Sequence, residues 1–466
     1  MNLSRRNFLR TSGAVTLGFV GLRNLLGRGV ALAADGGASP LGPLVADPRG
    51  VLNLPSGFAY NVFSKNGERM DDGFFVPGNH DGMAAFPGPN GKTILVRNHE
   101  IGHLPARIGP FGRNNELLTK INPSFLYDRA FSKDPPLGGT TTLVYDTARR
   151  RLDSHYLSLA GTLTNCAGGP TPWNTWLSCE ESDQTAGEVF ENDHGYVFEV
   201  PARAKIGLTR PRPIKPMGRF VHEAVAVDPR TNIVYLTEDR SDGLIYRFIP
   251  DHPPRLIEGG KLQGLKVKDQ PSLDLTNWID ANGKRIGLKI PVGQPMAVEW
   301  IDLDEIQSPK GDLRLRGFAQ GAARFTRGEG MWFGRRSIFF ACTDGGVKRK
   351  GQIWRYVPSR WEGQAEEQNK PGTVELFIEP NNKELLENAD NVTVAPWGDL
   401  VLCEDGPNEQ FLIGVTPKGE LYRIAQNIRS ESEFAGSTFS PDGSTLFVNI
   451  QHSGVTIAIT GPWPRA

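Results

Sequence analysis

The sequence is poor in cysteine and histidine and carries no net charge. Four cysteines and eight histidines stand among 466 residues, and 52 basic side chains balance 52 acidic ones. It has no Cys-x-x-Cys pair, and its one His-Glu-x-x-His run, His99–His103, ends an apolar strand rather than lying on a helix, which argues against a standard zinc site. No basic stripe or domain is present, so nucleic acid is excluded as a partner. Beyond residue 34 no apolar run approaches the ~20 residues of a spanning helix, so the mature chain is expected to have no membrane span. Helix-like apolar periodicity is scarce as well, which removes most α and α/β folds from consideration.

What is present begins with an address. Arg5-Arg6 precede a weakly apolar run from Thr11 to Leu22, and Ala31-Leu32-Ala33-Ala34 suits a signal peptidase. Paired arginines before a modest apolar core are the twin-arginine export signature. Residues 1–34 are therefore read as a removable signal, with the twin-arginine translocon as a passing partner and a periplasmic or secreted destination. That route carries folded proteins, which suits an enzyme that takes up its cofactor before export. The signal holds five arginines and no acid, so the mature chain keeps 47 basic against 52 acidic residues and is mildly acidic.

With 54 glycines and 35 prolines, residues 35–466 read as one all-β domain rich in turns. One pattern recurs six times: a short apolar strand, a turn, a second apolar strand, then acidic or amide residues. The copies are 82–87 with 93–100, 166–170 with 176–181, 223–229 with 233–239, 329–333 with 338–344, 390–396 with 400–405, and 435–443 with 445–449. Several continue into a third strand, as at 195–201, 243–250, 351–358 and 419–424, and inserts fall near 102–137 and 251–325. Three or four antiparallel strands repeated six times predict a six-bladed β-propeller with loop insertions. A β-sandwich would not explain why the copies resemble each other.

In a propeller, side chains at one repeat position converge on the axis. Cys179, Cys342 and Cys403 sit just before the acid that ends a second strand, and read as small core residues. Cys166 instead opens an inner strand, at the position held in other copies by Glu223, Glu329 and Asp390. Carboxylates there are costly to bury unless they are paired or bound to metal. The second-strand ends add Glu100, Glu180, Glu181, Glu238, Asp239, Asp344, Glu404 and Asp405, each also able to cap a turn. Oxygen-rich ligation suits calcium, and a thiolate favours iron, zinc or copper. His99, His222 and His452 near the repeat ends read as hydrogen-bonding orienters. Arg327, two residues before Glu329, suits an oxyanion, because guanidinium matches phosphate in a bidentate way.

These residues carry a resemblance to the PhoX family of twin-arginine-exported alkaline phosphatases. The segments are Arg97-Asn98-His99-Glu100, Gly138-Gly139-Thr140-Thr141-Thr142, Asn165-Cys166-Ala167-Gly168-Gly169 with Glu180-Glu181, His222-Glu223-Ala224, Arg327-Gly328-Glu329 and Asn388-Ala389-Asp390-Asn391. The Asn-Cys-Ala-Gly-Gly and Arg-Gly-Glu segments are the most specific of them. The resemblance implies a six-bladed propeller that hydrolyses phosphate monoesters, with diesters as a variation, at an axial cluster of Fe(3+) and Ca(2+). It implies that Cys166 bridges a pair of irons, that Glu223 and Glu329 complete their shell, and that Arg327 holds the substrate phosphate. Asn165, beside Cys166, joins Arg327 as a catalytic candidate. Glu180, Glu181, Glu404 and Asp390 are the implied calcium ligands. A calcium-dependent propeller lactonase and a non-catalytic calcium-binding propeller share the channel carboxylates, but neither needs Cys166 or Arg327.

Overall fold

The computed structural model describes residues 39–131 and 134–465, so the export signal read at 1–34 lies outside the described residues. Six inner strands, His80–Pro87, Asn165–Pro170, His222–Val227, Gly328–Phe333, Ala389–Val394 and Phe434–Phe439, pack side by side in chain order. The sixth packs against the first, so the strands close into a ring around an axis. Each pairs antiparallel with the strand that follows it, as Asn165–Pro170 does with Thr175–Glu180 and Ala389–Val394 with Leu400–Glu404. This is the propeller that the repeats predict, and the protein is all-β apart from one seven-residue α-helix, Leu313–Ala319, and short 3-10 turns among the described residues.

The hydrogen-bonded sheets number five among the described residues, rather than six separate ones. The reason lies in the 251–325 insertion. Its strand Met296–Asp302 pairs with Gly260–Val267 of the third blade and, through Met296 and Ala297, with Thr373–Ile378 of the fourth. Two blades therefore merge into one nine-stranded sheet, and an edge that would otherwise be open is covered.

Both ends of the domain build the sixth blade. Ala59–Lys65 pairs with Val455–Thr460, so an N-terminal strand completes a C-terminal sheet. Arg97 pins this closure from the first blade. It donates to Ser64 Oγ at 3.1 Å, Thr456 Oγ1 at 2.5 Å and Thr141 Oγ1 at 3.0 Å.

Strand alternation sends large side chains between the blades, where Trp176, Trp354, Tyr246 and Phe248 are fully buried. Burying one such side chain contributes roughly 1.5–3 kcal/mol. All four cysteines are free and buried, and Cys179, Cys342 and Cys403 lie in these apolar layers.

One irregularity repeats in every blade and positions the site. After its first paired residues each inner strand breaks register, between His80/Met83, Asn165/Gly168, His222/Val225, Gly328/Met331, Ala389/Val392 and Ala435/Thr438. Two inner-strand residues there oppose one on the neighbouring strand. Such a bulge re-aims a side chain that would otherwise keep to the period-2 alternation.

Candidate metal centre

The leading bulge residues of the six blades are Asp81, Cys166, Glu223, Glu329, Asp390 and Gly436. Five can donate to a metal, and the sixth has no side chain. Gly436 sits at φ +60°, and a Cβ there would lie 2.4 Å from the carbonyl oxygen of Asp81. Close approach of the sixth blade to the first thus excludes a donor at that position.

The donors converge. One ligand atom each from Cys166, Glu181 and Glu223 lie within 4.8 Å of one another, and the same holds for Glu223, Glu329 and Asp390. Glu223 belongs to both triads.

Polar residues of the second strands hold the bulges across blade boundaries. Asn98 donates to the carbonyls of Cys166 at 3.2 Å and Ala167 at 2.6 Å. Thr237 accepts from the Ala224 N–H at 2.9 Å and donates to the Glu329 carbonyl at 2.7 Å. Asn449 donates to the Asp81 carbonyl at 2.6 Å. Each of these ties one donor-bearing bulge to its neighbour and fixes the ring of donors.

Further carboxylates arrive from the second-strand ends. Gln451 Nε2 bridges Asp81 at 2.8 Å and Glu100 at 2.7 Å. Arg327, in the left-handed region at φ 41°, donates to both oxygens of Asp239 at 2.9 and 3.0 Å and to Glu329 Oε1 at 2.7 Å. Its side chain stays 41% exposed, so the guanidinium spans the acids and the open mouth of the channel.

Electrostatics show how ill-matched these acids are in the absence of cations. Burial first, and then neighbouring carboxylates, push Asp81, Glu181, Glu223, Glu329 and Glu433 well above the usual carboxylate range. The same causes raise Glu100 and Asp390 to about 7. Burial, followed by Glu223 and Glu181, pushes the Cys166 thiol up, and its Sγ–H donates to the carbonyls of His222 at 3.4 Å and Glu223 at 3.6 Å. Asp390 Oδ1 and Gln451 Oε1 are buried with no hydrogen-bond partner. Orphaned acceptors among crowded, buried acids fit cations, which would satisfy the oxygens and offset the repulsion. The donor set, mostly carboxylate with one sulfur, fits hard cations beside one that tolerates thiolate.

Cys166, Glu181, Glu223, Glu329, Asp390 and Arg327 are brought together as the sequence suggests. Glu180 and Glu404 are not. Glu180 accepts from Leu163 N at 2.9 Å, Gly195 N at 2.9 Å and His194 Nδ1 at 2.7 Å. Glu404 accepts from Glu387 N at 2.7 Å and Phe411 N at 3.0 Å. Both carboxylates latch backbone within their blades, as Glu238 does for Leu244 N and the Tyr246 hydroxyl. Strand alternation is the reason: when Glu181 or Asp405 faces the axis, the residue before it faces the blade. Asn165 is occupied in the same way. It accepts from Thr162 Oγ1 at 2.6 Å and donates to Ser178 Oγ at 2.9 Å, so it positions the strand rather than facing the channel.

Asp81 and Glu433 are the cluster members that sequence reading misses. Asp81 precedes Gly82, where the first repeat copy was begun, and aligning its bulge with Cys166 would have found it. Glu433 lies just before its inner strand, outside any repeat position, so no comparable signal marks it.

The axis is nearly filled below the bulges, where a cavity of about 20 Å3 is lined by Gly82, Gly168, Gly330 and Gly436 among others. A larger groove of about 810 Å3 lies at the opposite end of the first and sixth blades, beside Gly91 and Asp442, away from the acids. The opening that meets the acids is a cavity of about 460 Å3 that includes Glu181 and Asp239.

Against this geometry, the family model for alkaline phosphatase PhoX matches residues 39–124 and 134–454. The chain belongs to the PhoX alkaline phosphatase family. It is with that family a phosphoric ester hydrolase. PhoX of Pseudomonas fluorescens, solved in complex with vanadate, a transition state analogue, shares its fold. That structure is 18% identical, with a TM-score of 0.65, over 91% of this chain and 97% of the other. Two further solved structures are too distant to carry an argument. A gluconolactonase of Xanthomonas campestris has 10% identity and a TM-score of 0.38, over 91% of this chain and 99% of its own. Virginiamycin B lyase of Staphylococcus aureus has 11% identity and a TM-score of 0.38, over 86% and 99%. No curated protein matches by sequence. No helix among the described residues is long and apolar enough to cross a membrane.

Proposed function

We propose that this PhoX family member is an exported phosphatase that hydrolyses phosphate monoesters, with diesters as a variation, at cations held in the axial cluster. The observation that carries the reading is the pair of ligand triads sharing Glu223, one of them containing the lone axial thiol. Cys166, Glu181, Glu223, Glu329 and Asp390 would hold Fe(3+) and Ca(2+), with iron at Cys166, Glu223 and Glu329 and calcium at the remaining carboxylates. Asp81, Glu100 and Glu433 extend the oxygen-only side and take the place of Glu180 and Glu404 as calcium ligands. Family resemblance gives the bridging role to Cys166, and Glu223, common to both triads, would hold cations beside it. When bound, such cations offset phosphate charge and supply a nucleophile at moderate pH.

The remaining work falls to the chain's own residues. Arg327, anchored by Asp239 and Glu329 yet partly open to the mouth, would present its free N–H groups to the phosphate oxygens and hold the ester in place. Asn98, Thr237 and Asn449 would keep the donor ring preorganised. The filled axis below leaves the mouth as the route for substrate and product. Export by the twin-arginine route would follow from residues 1–34 and deliver the loaded enzyme to the periplasm or beyond.

Cys166→Ala tests the reading. The variant is expected to lose bound iron and turnover of para-nitrophenyl phosphate while keeping its far-ultraviolet circular dichroism. Full phosphatase activity in that variant would end the thiolate-centred account.

A further inference from the structure

The cavity of about 460 Å3 shares Glu181 and Asp239 with the acid cluster but is otherwise built differently. Leu163, Val221 and Phe190 form its apolar wall, joined by His103. The His103 and Phe190 rings meet edge to face, with centroids 5.7 Å apart and planes at 87°. Phe190 is only 4% exposed and packs edge-on against His194 at 5.0 Å. His194 is itself held 2.7 Å from Glu180. The wall is therefore backed by the second blade's buried latch and is stiff. Arg240 and Asp183, which also line the cavity, pair with each other.

Apolar side chains continue outward from this wall. Leu104, Phe131 and Val189 are 58%, 67% and 42% exposed. The Phe131 N–H bonds to the Val189 carbonyl at 3.0 Å, which places those two beside Phe190. The volume lies within the ~300–1,000 Å3 typical of organic-ligand pockets and exceeds what a phosphate alone needs.

We infer that this cavity receives the organic part of the ester, and that Phe190 with His103 selects planar aromatic leaving groups over small polyol ones. The inference rests on the proposed hydrolysis at the axial cluster and adds the substrate class. An aromatic ring seated there would meet Phe190 and His103 in the edge or offset-stacked arrangements that rings favour, with its phosphate directed toward Arg327, which Asp239 anchors, and toward the cation that Glu181 would help to hold. A small polyol phosphate would leave the wall uncovered.

The test compares phenylphosphonate with methylphosphonate, which cannot be hydrolysed as esters, by titration calorimetry on the protein purified without chelator. Turnover of glycerol phosphate is measured alongside. Phenylphosphonate is expected to bind about tenfold more tightly or better, and the preference to shrink severalfold in Phe190→Leu and in His103→Ala. His103 is half-buried, so its variant keeps the test informative if Phe190→Leu folds poorly. Equal affinities in the parent, or a preference unchanged in both variants, while glycerol phosphate is still hydrolysed, would overturn the inference alone. A Phe190-dependent preference without any ester turnover would uphold the subsite and overturn the hydrolytic reading instead.

Discussion

Glu404 and Asp405 are neighbours in the chain, as are Glu180 and Glu181, and Glu238 and Asp239, yet the members of each pair meet opposite surroundings. The first of each accepts backbone N–H groups within its own blade. The second faces the axis, where Glu181 lies in a ligand triad and Asp239 is clamped by Arg327. Burial and partners both separate the two sets: Glu180, Glu238 and Glu404 are buried, whereas Glu181 and Asp239 are half-buried and Asp405 is exposed. A carboxylate that accepts N–H bonds is a structural latch, whereas one surrounded by its own kind is suited to a cation.

The sharpest way to break this comparison is to remove a donor shared by both triads. Glu223→Ala is expected to lower turnover at least ~10³-fold and to deplete bound metal, with the fold retained, as read by kinetics, elemental analysis and circular dichroism. Retained metal and activity would place Glu223 outside the centre. Next in size is Glu404→Ala, which strands the N–H groups of Glu387 and Phe411. At ~1–3 kcal/mol for each unmet buried group, Tm should fall in both metal-free and metal-bound protein, with metal content per folded chain unchanged. A loss of calcium without a loss of stability would restore Glu404 as a ligand.

A smaller effect has a diagnostic sign. In chelated protein, Glu329→Gln is expected to raise Tm by relieving repulsion from Asp239, Asp390 and Glu223, whereas in loaded protein it should lower Tm by weakening metal binding. The same sign in both states would contradict a metal-holding role.

The smallest expected effect concerns the latch of the second blade. Burial disfavours a charged His194, but Glu180 and Asp128 outweigh it and raise the imidazole to about 9. Its Nδ1 lies 2.7 Å from Glu180, while Nε2 is 3.5 Å from Asp128 Oδ2, too long for a good hydrogen bond. A folded value above the unfolded one means this stabilisation is complete below about pH 6.5 and is lost as pH rises toward about 9. His194→Gln should flatten that slope in a Tm-against-pH series, and an unchanged slope would assign it elsewhere.

The propeller was legible because six copies of one strand pair cannot share a resemblance by accident, and the copies place Cys166, Glu223, Glu329 and Asp390 at one repeat position. What sequence could not supply was the phase. A bulge of two residues against one resets the alternation at every channel entrance, so a pair such as Glu180-Glu181 gives no hint of which member faces the axis. Asn165 was misplaced for the same reason, being the residue before the bulge rather than in it. Asp81 is hidden because the apolar repeat pattern begins one residue later, at Gly82. The merging of the third and fourth blades depended on Met296–Asp302, a strand inside an insertion that matches no repeat.

The central claim is that the axial acids hold cations that hydrolyse phosphate esters. Elemental analysis of the mature protein purified without chelator, paired with para-nitrophenyl phosphate turnover at varied calcium, tests it most directly. Stoichiometric iron together with calcium-dependent turnover is the expected result. A protein that folds, binds calcium alone and hydrolyses no ester would contradict the account.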